Sequence, residues 1–253
     1  MTSPRPEAAI SQRTLMFVAG LGMLAMAILA PFAEFGVLST LIVPSDAAAT
    51  ANNIIASEGL FRAAIAALLV VAILDVPVAW AFYFLFRPVS ETLALLVAWM
   101  RIVYTAVFAI AILNLLDSAQ LLGSADSVSA LRPELLQAQA LSSIASFENG
   151  WAFSLVIFGL HLVGLTAMLL RAPGVPRLLG VLVLVAGGGY MVDGFGTILV
   201  PDYGLTVRVL TFVGEALLIP WLLWKAIKAS PSDAAVLRTG DGSPALQPTP
   251  TGP

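Results

Sequence analysis

Six continuous apolar runs dominate the chain, and few polar residues interrupt them. They cover residues 14–35, 61–86, 92–116, 149–170, 177–199 and 206–227. At a helical rise of 1.5 Å per residue, each run is close to the length that crosses about 30 Å of hydrocarbon. Barrel strands alternate apolar and polar residues over about ten positions, whereas a spanning helix is continuously apolar and satisfies its backbone polar groups internally. The pattern therefore predicts an all-α fold, a polytopic transmembrane helical bundle of about six spans.

Two segments between the runs predict short extracytoplasmic helices. Ser45 or Asp46 can cap a helix that continues to about Ser57. Pro133 stands where a first helical turn would begin, ahead of an amphipathic segment over 134–147. Such helices are more typical of interfacial anchors for loops than of a functional lid.

The two ends of the chain differ from the membrane domain in composition. Residues 229–253 carry five prolines among Ser, Thr and Gly, and such a segment buries too little apolar surface to order itself. The expected organisation is a disordered cytoplasmic tail over 1–12, a six-helix transmembrane domain over 13–228 and a disordered Pro-rich cytoplasmic tail over 229–253. The first apolar run is longer than a signal-peptide core and is interpreted as a retained helix.

The composition supports a membrane protein and excludes several other classes. Hydrophobic residues make up 59% of the 253 residues and charged residues only 11%, with a mean hydropathy of +0.96. A soluble domain carries about one-quarter charged residues. The chain has no cysteine and therefore no disulfide or thiolate site, and a net charge of −3 without a basic patch gives no indication of nucleic-acid binding.

The basic residues are distributed unevenly between the two sides of the predicted bundle. With the N-terminus inside, eight lie on the inner side: Arg5, Arg13, Arg87, Arg171, Arg177, Lys225, Lys228 and Arg238. Three lie on the outer side, Arg62, Arg132 and Arg208, and Arg101 lies within the membrane. Because cytoplasmic loops carry the excess of Lys and Arg, we expect both termini in the cytoplasm.

Five ionisable residues lie deep inside the apolar runs. They are Asp75, Arg101, His161, Asp193 and Glu215, one from each of the second to sixth spans. Counted at 1.5 Å per residue, the first three lie roughly 15 Å from the inner boundary and the last two roughly 12 Å from the outer one. Charge at membrane depth costs a few kcal/mol per residue, so such groups are functional-site candidates by default. We predict that these five form one polar layer and are candidates for ligand or proton binding.

Charge pairing limits what this layer can be. Arg101 stays protonated and needs an anion, and Asp75 at equal depth on the preceding helix is the first candidate for a bidentate pair. Asp193 and Glu215 then exceed the positive charge that remains, so at least one is protonated, paired with a protonated His161 or bound to a cation. The Asp75–Arg101 pair is equally compatible with a role in helix packing alone.

Polar neighbours on the last two spans support the layer. Tyr190 shares a narrow arc with Asp193 on the fifth span. Arg208 and Thr211 lie on the same face as Glu215 on the sixth. These three residues are therefore expected to support the site.

Motifs of known chemistry are absent from the sequence. One histidine falls short of a zinc hydrolase site, and no HExxH, G-x-S-x-G, P-loop or dinucleotide fingerprint occurs. We therefore expect no metal and no cofactor, and an enzyme is disfavoured although not excluded.

Several segments resemble a bacterial membrane-protein family classed as domain of unknown function 4386. They are IVPSDAAATANNI, LFR, RPVSETLALL, the arginine of MRIV, FGLHL, PRLLGVLVLVAGGGYMVD and GE, spread over about residues 10–228. The resemblance implies a multi-span protein of the bacterial cytoplasmic membrane and supplies no activity. Arg62, Arg101, His161, Asp193 and Glu215 fall within the matching segments, so the resemblance implies a shared role for them.

Three functions are compatible with these observations. The first is binding or transport of a small polar ligand, a cation or a proton at a midplane site. The second is an intramembrane enzyme on a lipid-like substrate, with His161 and a carboxylate as acid and base. The third is a structural or accessory membrane protein whose ion pairs specify helix packing. The lipid bilayer is an expected partner in all three cases. The first is preferred because the buried charges are so closely matched in depth.

Overall fold

The computed structural model describes residues 10–123, 132–201, 203–204 and 206–229, and these residues form seven helices without a strand. The helices are α1 (Gln12–Leu41), α2 (Ala47–Ala56), α3 (Glu58–Phe86), α4 (Glu91–Gly123), α5 (Pro133–Leu169), α6 (Arg177–Leu199) and α7 (Arg208–Lys228). All except α2 are long and apolar enough to cross a membrane. The predicted all-α bundle of six spans is confirmed. The predicted tails, apart from residues 10–12 and 229, lie outside the described residues.

The six long helices are antiparallel to their neighbours and form a closed ring. Each packs against the next one along the chain, and α1 also packs against α7. We call the end where α1 begins and α7 ends the base, and the opposite end the mouth. At the base, Gly20 lies directly beneath the Leu223 side chain, which an added Cβ would approach to 2.7 Å. The ring is therefore tightly closed between α1 and α7 at its base.

The backbones of α5 and α6 approach closely at two facing glycines. A Cβ on Gly187 would lie 2.9 Å from the carbonyl oxygen of Gly159, and a Cβ on Gly159 would lie 2.7 Å from the carbonyl oxygen of Gly187. Small residues allow such approaches between membrane helices. The glycine-rich run of α6 thus explains how this helix packs against the most buried span, α5.

The second predicted outer helix is not a separate element. Residues 134–147 are helical, but they continue without interruption into the fourth span as the 37-residue helix α5. The prediction separated them at the polar residues near 148–150, where nothing breaks the helix. Gly150, the one weak helix former there, packs against Ala111 of α4. The mouth end of α5 therefore projects beyond the apolar run.

The first predicted outer helix is present as α2. Asp46 caps it, since its carboxylate accepts a hydrogen bond from the Ala49 N–H at 2.8 Å. Asn53 ties it to the end of α1 by donating to the Leu41 carbonyl at 3.1 Å. Ala51 and Ile54 are buried, which fixes α2 against the mouth end of the bundle.

A π-helical segment, Phe32–Leu38, widens α1 directly after Pro31. Proline lacks the N–H that would continue the α-helical ladder, and π-helical turns inside helices are frequent at functional sites. The helix resumes and ends only at Leu41. Glu34, the penultimate residue of the predicted first span, therefore lies about two turns inside the helix.

Candidate functional site

A cavity of about 250 Å³ lies inside the mouth half of the ring, and all six long helices line it. On the same measure a single water needs about 10–15 Å³, so the space fits a small molecule. Most of the lining side chains are apolar, and a few charged groups converge on the space, as in typical small-molecule sites. The α1 and α7 residues that line it stop at Met23 and Ile219, because the two helices pack together nearer the base.

Arg101 and Asp75 form the buried pair that the sequence predicted. Nε and Nη2 of Arg101 both contact Oδ1 of Asp75, at 2.8 and 2.5 Å, so two nitrogens share one oxygen instead of forming a fork on two. Each residue is 1% exposed. The guanidinium also lies 5.3 Å from the centre of the Phe158 ring. Both charged residues line the cavity, and their pairing joins α3 to α4.

His161 belongs to the same network but lies outside the cavity lining. Its Nδ1 is 2.8 Å from the Val97 carbonyl oxygen, and its Nε2 is 3.3 Å from Nη1 of Arg101. A carbonyl only accepts and a guanidinium only donates, so both contacts assign the neutral imidazole with the proton on Nδ1. His161 thereby orients Arg101 from α5 and is a positioning residue in this arrangement.

Glu215 lines the cavity from α7 and faces it from one side. The Tyr190 hydroxyl donates to its Oε2 at 3.0 Å, and Oε1 has no hydrogen-bond partner among the described residues. The carboxylate lies within electrostatic range of Arg101 and Asp75. Glu215 thus interacts electrostatically with the Asp75–Arg101 pair, but it forms no ion pair itself among the described residues.

Asp193 lies in a different place from the other four predicted residues. Its carboxylate accepts from the Tyr203 hydroxyl at 2.9 Å and from the backbone N–H groups of Val207 and Arg208 at 2.9 and 2.8 Å. It therefore caps the start of α7 and does not line the cavity. Tyr203 lies outside the spans. Desolvation, followed by the hydrogen bond to Asp193, raises the pKa of its hydroxyl, so Tyr203 remains a donor at neutral pH.

Arg208 lies at the mouth of the cavity. Its guanidinium is 5.2 Å from the centre of the Trp151 ring, and it is within electrostatic range of Glu34 and Glu148. Thr211, the third predicted supporting residue, instead donates to backbone carbonyls one turn earlier in α7 and packs against Gly189. The structure thus brings Arg208 and Tyr190 to the cavity and leaves Thr211 in a helix contact.

Sequence reasoning predicted Tyr190 but missed Glu34 and the aromatic side chains of α4 and α5 that line the cavity. Glu34 was placed at the edge of the first run, although no proline lies between it and Pro44. Tyr104, Trp151 and Phe158 line the cavity from α4 and α5. Their spacing relative to Arg101 and His161 was the available signal, since Tyr104 and Phe158 lie three residues from these two on the same helix faces. In the part of the chain that the structure describes, no three His, Asp or Glu side chains are grouped to hold a metal ion.

Comparisons with known proteins identify relatives without a known activity. The family described as a domain of unknown function (DUF4386) matches residues 18–226. An uncharacterized protein of Archaeoglobus fulgidus is 30% identical over 166 residues, which cover 66% of this chain and 85% of that protein. No solved structure matches. The chain belongs to the DUF4386 family, and its six apolar helices are compatible with an integral membrane protein.

Proposed function

We propose that this protein is a multi-pass membrane protein that binds a small ligand in the cavity between its six spanning helices. The observation that carries the proposal is the cavity itself, a space of about 250 Å³ with Asp75, Arg101 and Glu215 on its walls. A buried ion pair could serve only to hold helices together. A bundle built for that role alone would have no such space, because well-packed interiors have few voids larger than a water molecule. A ligand-sized space beside membrane-depth charges supports binding.

The proposed site is accessible from the mouth of the bundle. The cavity extends between the mouth halves of α1 and α7, and the packing of Gly20 against Leu223 closes these helices at the base. From the excess of Lys and Arg near the base, we further propose that both termini lie in the cytoplasm and that the mouth faces the outside. The protein would then bind its ligand from the extracytoplasmic side of the bacterial cytoplasmic membrane.

A cavity-filling variant tests this proposal. Ala27 of α1 lines the cavity, so Ala27→Trp should fill it, whereas Ala106 of α4 is exposed on the outer surface of the ring. Ala106→Trp is therefore the matched control. Purified proteins in lipid nanodiscs would be titrated with four probes that each carry a six-carbon chain, hexylammonium, hexyltrimethylammonium, hexanoate and hexanol, while the melting temperature is recorded.

The expected result is that at least one probe raises the melting temperature of the wild-type protein and of Ala106→Trp but not of Ala27→Trp. A ligand that binds the folded state stabilises the protein more as the ligand concentration rises. The concentration dependence of the melting temperature therefore gives the affinity of the probe. If no probe distinguishes Ala27→Trp from the control, the cavity is not a binding site and the proposal fails.

A further inference from the structure

The charges on the cavity wall are unbalanced. Three carboxylates line the cavity, Glu34, Asp75 and Glu215, against two guanidinium groups, Arg101 and Arg208. Asp75 and Arg101 form an ion pair with each other. Arg208 lies within electrostatic range of Glu34 and also of Glu148, an exposed residue that does not line the cavity. The wall therefore carries one more carboxylate than guanidinium, and Glu215 has no cation of its own.

The geometry of Glu215 directs this unpaired acceptor into the cavity. The residue is half-buried and lines the cavity, so part of its accessible surface faces that space. Tyr190 occupies Oε2, and Oε1 has no hydrogen-bond partner among the described residues. An N–H donor or a cation in the cavity would supply what this oxygen lacks.

Aromatic side chains line the same space. The ring centre of Phe158 is 4.6 Å from that of Tyr104 and 5.4 Å from that of Tyr190, and Trp151 lies nearer the mouth. Aromatic faces attract ammonium groups, and aromatic cages are a common way to recognise them. Phe158 and Trp151 already lie against the Arg101 and Arg208 guanidinium groups. These aromatic rings therefore already make contacts with cations inside the protein.

The remaining walls are apolar. Met23, Met26 and Ala27 of α1 face this space together with Leu155 of α5 and Ile219 of α7. A fully hydrated inorganic cation would lose its water against these side chains without gaining oxygen ligands. A molecule with a charged end and an apolar body would instead satisfy both kinds of surface.

We propose, on the basis of the binding function proposed above, that the ligand is an amphipathic organic monocation, an alkyl or aryl amine or quaternary ammonium compound. Its charged nitrogen lies between Glu215 and the aromatic wall, with Glu34 adding negative charge on the mouth side, and its apolar body packs against α1 and α5. An anion of the same size is disfavoured, because all three nitrogens of Arg101 already contact protein acceptors and Glu34 and Glu215 would repel it.

The test uses the full-length protein in phosphatidylglycerol nanodiscs, which contain no choline head group. The four probes share a six-carbon chain and differ in their head groups. The proteins compared are wild type, Glu215→Gln, Glu34→Gln and the control Glu91→Gln. Glu91 lies at the base beside Arg87, far from the cavity, and reports any general effect of losing a carboxylate. Affinity is read from the probe concentration that raises the melting temperature.

We expect hexylammonium and hexyltrimethylammonium to stabilise the wild-type protein and Glu91→Gln, and hexanoate and hexanol to have little effect. Glu215→Gln should weaken the two cations at least about tenfold, as expected when one partner of a desolvated charge pair is removed. Glu34→Gln should weaken them less, because Arg208 partly neutralises this carboxylate.

Two results would overturn the inference. If hexanoate or hexanol binds in the cavity, as shown by its loss in Ala27→Trp, while the cations do not, the binding function stands and the ligand class is wrong. If the cations bind but Glu215→Gln binds them as tightly as Glu91→Gln does, the assigned carboxylate is wrong. Failure of all four probes contradicts the binding function itself.

Discussion

At the residue scale, Arg101 of α4 is held by partners from two other helices, α3 and α5. Asp75 supplies the opposite charge from α3, His161 supplies a neutral acceptor from α5, and the aromatic ring of Phe158 covers the guanidinium. A buried ion pair gives little net stability compared with an apolar pair, but removing one partner leaves an uncompensated charge. The network therefore fixes where the charge lies and makes each member sensitive to loss.

This arrangement predicts a large effect of Asp75→Asn on stability. The substitution preserves the shape of the side chain but removes the charge opposite Arg101, so the free energy of unfolding should fall by about 3–5 kcal/mol. The measurement is reversible unfolding in mixed micelles. The double variant Asp75→Asn with Arg101→Gln should recover part of the loss, because no unpaired charge remains.

The matched control is the exposed pair between Glu58 and Arg62, whose side chains are 48% and 45% exposed. Glu58→Gln should change the free energy of unfolding by no more than about 1 kcal/mol, since solvent screens such pairs. Equal effects of Asp75→Asn and Glu58→Gln would contradict the view that the buried network holds α3 and α4 together.

At the element scale, the sequence predicts the spans well and their ends poorly. Long apolar runs have one structural solution in a bilayer, so the existence of six helices followed from length alone. The ends of the helices depend on polar segments, which can either continue a helix or form a loop. Such segments are helical at the start of α5, which begins at Pro133, and at the end of α1, which reaches Leu41. Glu34 was overlooked for the same reason, since a carboxylate at the end of a run is indistinguishable from one in a loop.

The pairing of helices also decides which predicted residues meet. Counting along the chain placed Asp75, Arg101 and His161 at one depth, and the structure joins them, because α4 packs against both α3 and α5 and runs antiparallel to each. The same count placed Asp193 beside Glu215. It could not include the segment before α7, which folds back so that the backbone of Arg208 reaches the Asp193 carboxylate. The cavity was beyond prediction, because it depends on the gaps between side chains of six helices.

Adjacent glycines in α6 give a test of helix packing. A Cβ at Gly187 would lie 2.9 Å from the Gly159 carbonyl oxygen and 3.0 Å from the Leu162 Cβ, whereas a Cβ at Gly188 would have no neighbour within 4 Å. Gly187→Ala should lower the free energy of unfolding by about 1–3 kcal/mol through forced separation of α5 and α6. Gly188→Ala should be neutral or stabilising by up to about 1 kcal/mol, because it restricts the unfolded chain. The same unfolding assay compares them, and a similar cost for both would refute the close approach.

At the scale of the whole molecule, the ring has a closed base and a cavity that extends to its mouth. The helices that carry most of the mouth-side cavity wall, α1 and α7, are also the least buried spans, with 28% of their most apolar windows buried against 61% for α5. Their outer surfaces carry large exposed apolar side chains such as Leu21, Ile28 and Leu217, which suit contact with lipid tails. Any molecule that enters the cavity therefore passes beside the two most peripheral helices.

The side of the membrane that the cavity faces can be tested directly, because the chain has no cysteine and single cysteines would be labelled without background. Asn52 in α2 and Thr92 at the start of α4 are exposed at the mouth and at the base, respectively. Since six of the ten Lys and Arg residues in the described part of the chain lie at the base, we expect the base to face the cytoplasm. A membrane-impermeant maleimide should label Asn52→Cys in intact spheroplasts and label Thr92→Cys only after permeabilisation. The reverse pattern would place both termini outside and make the cavity a cytoplasmic binding site, and labelling of both variants in intact spheroplasts would indicate two orientations in one membrane.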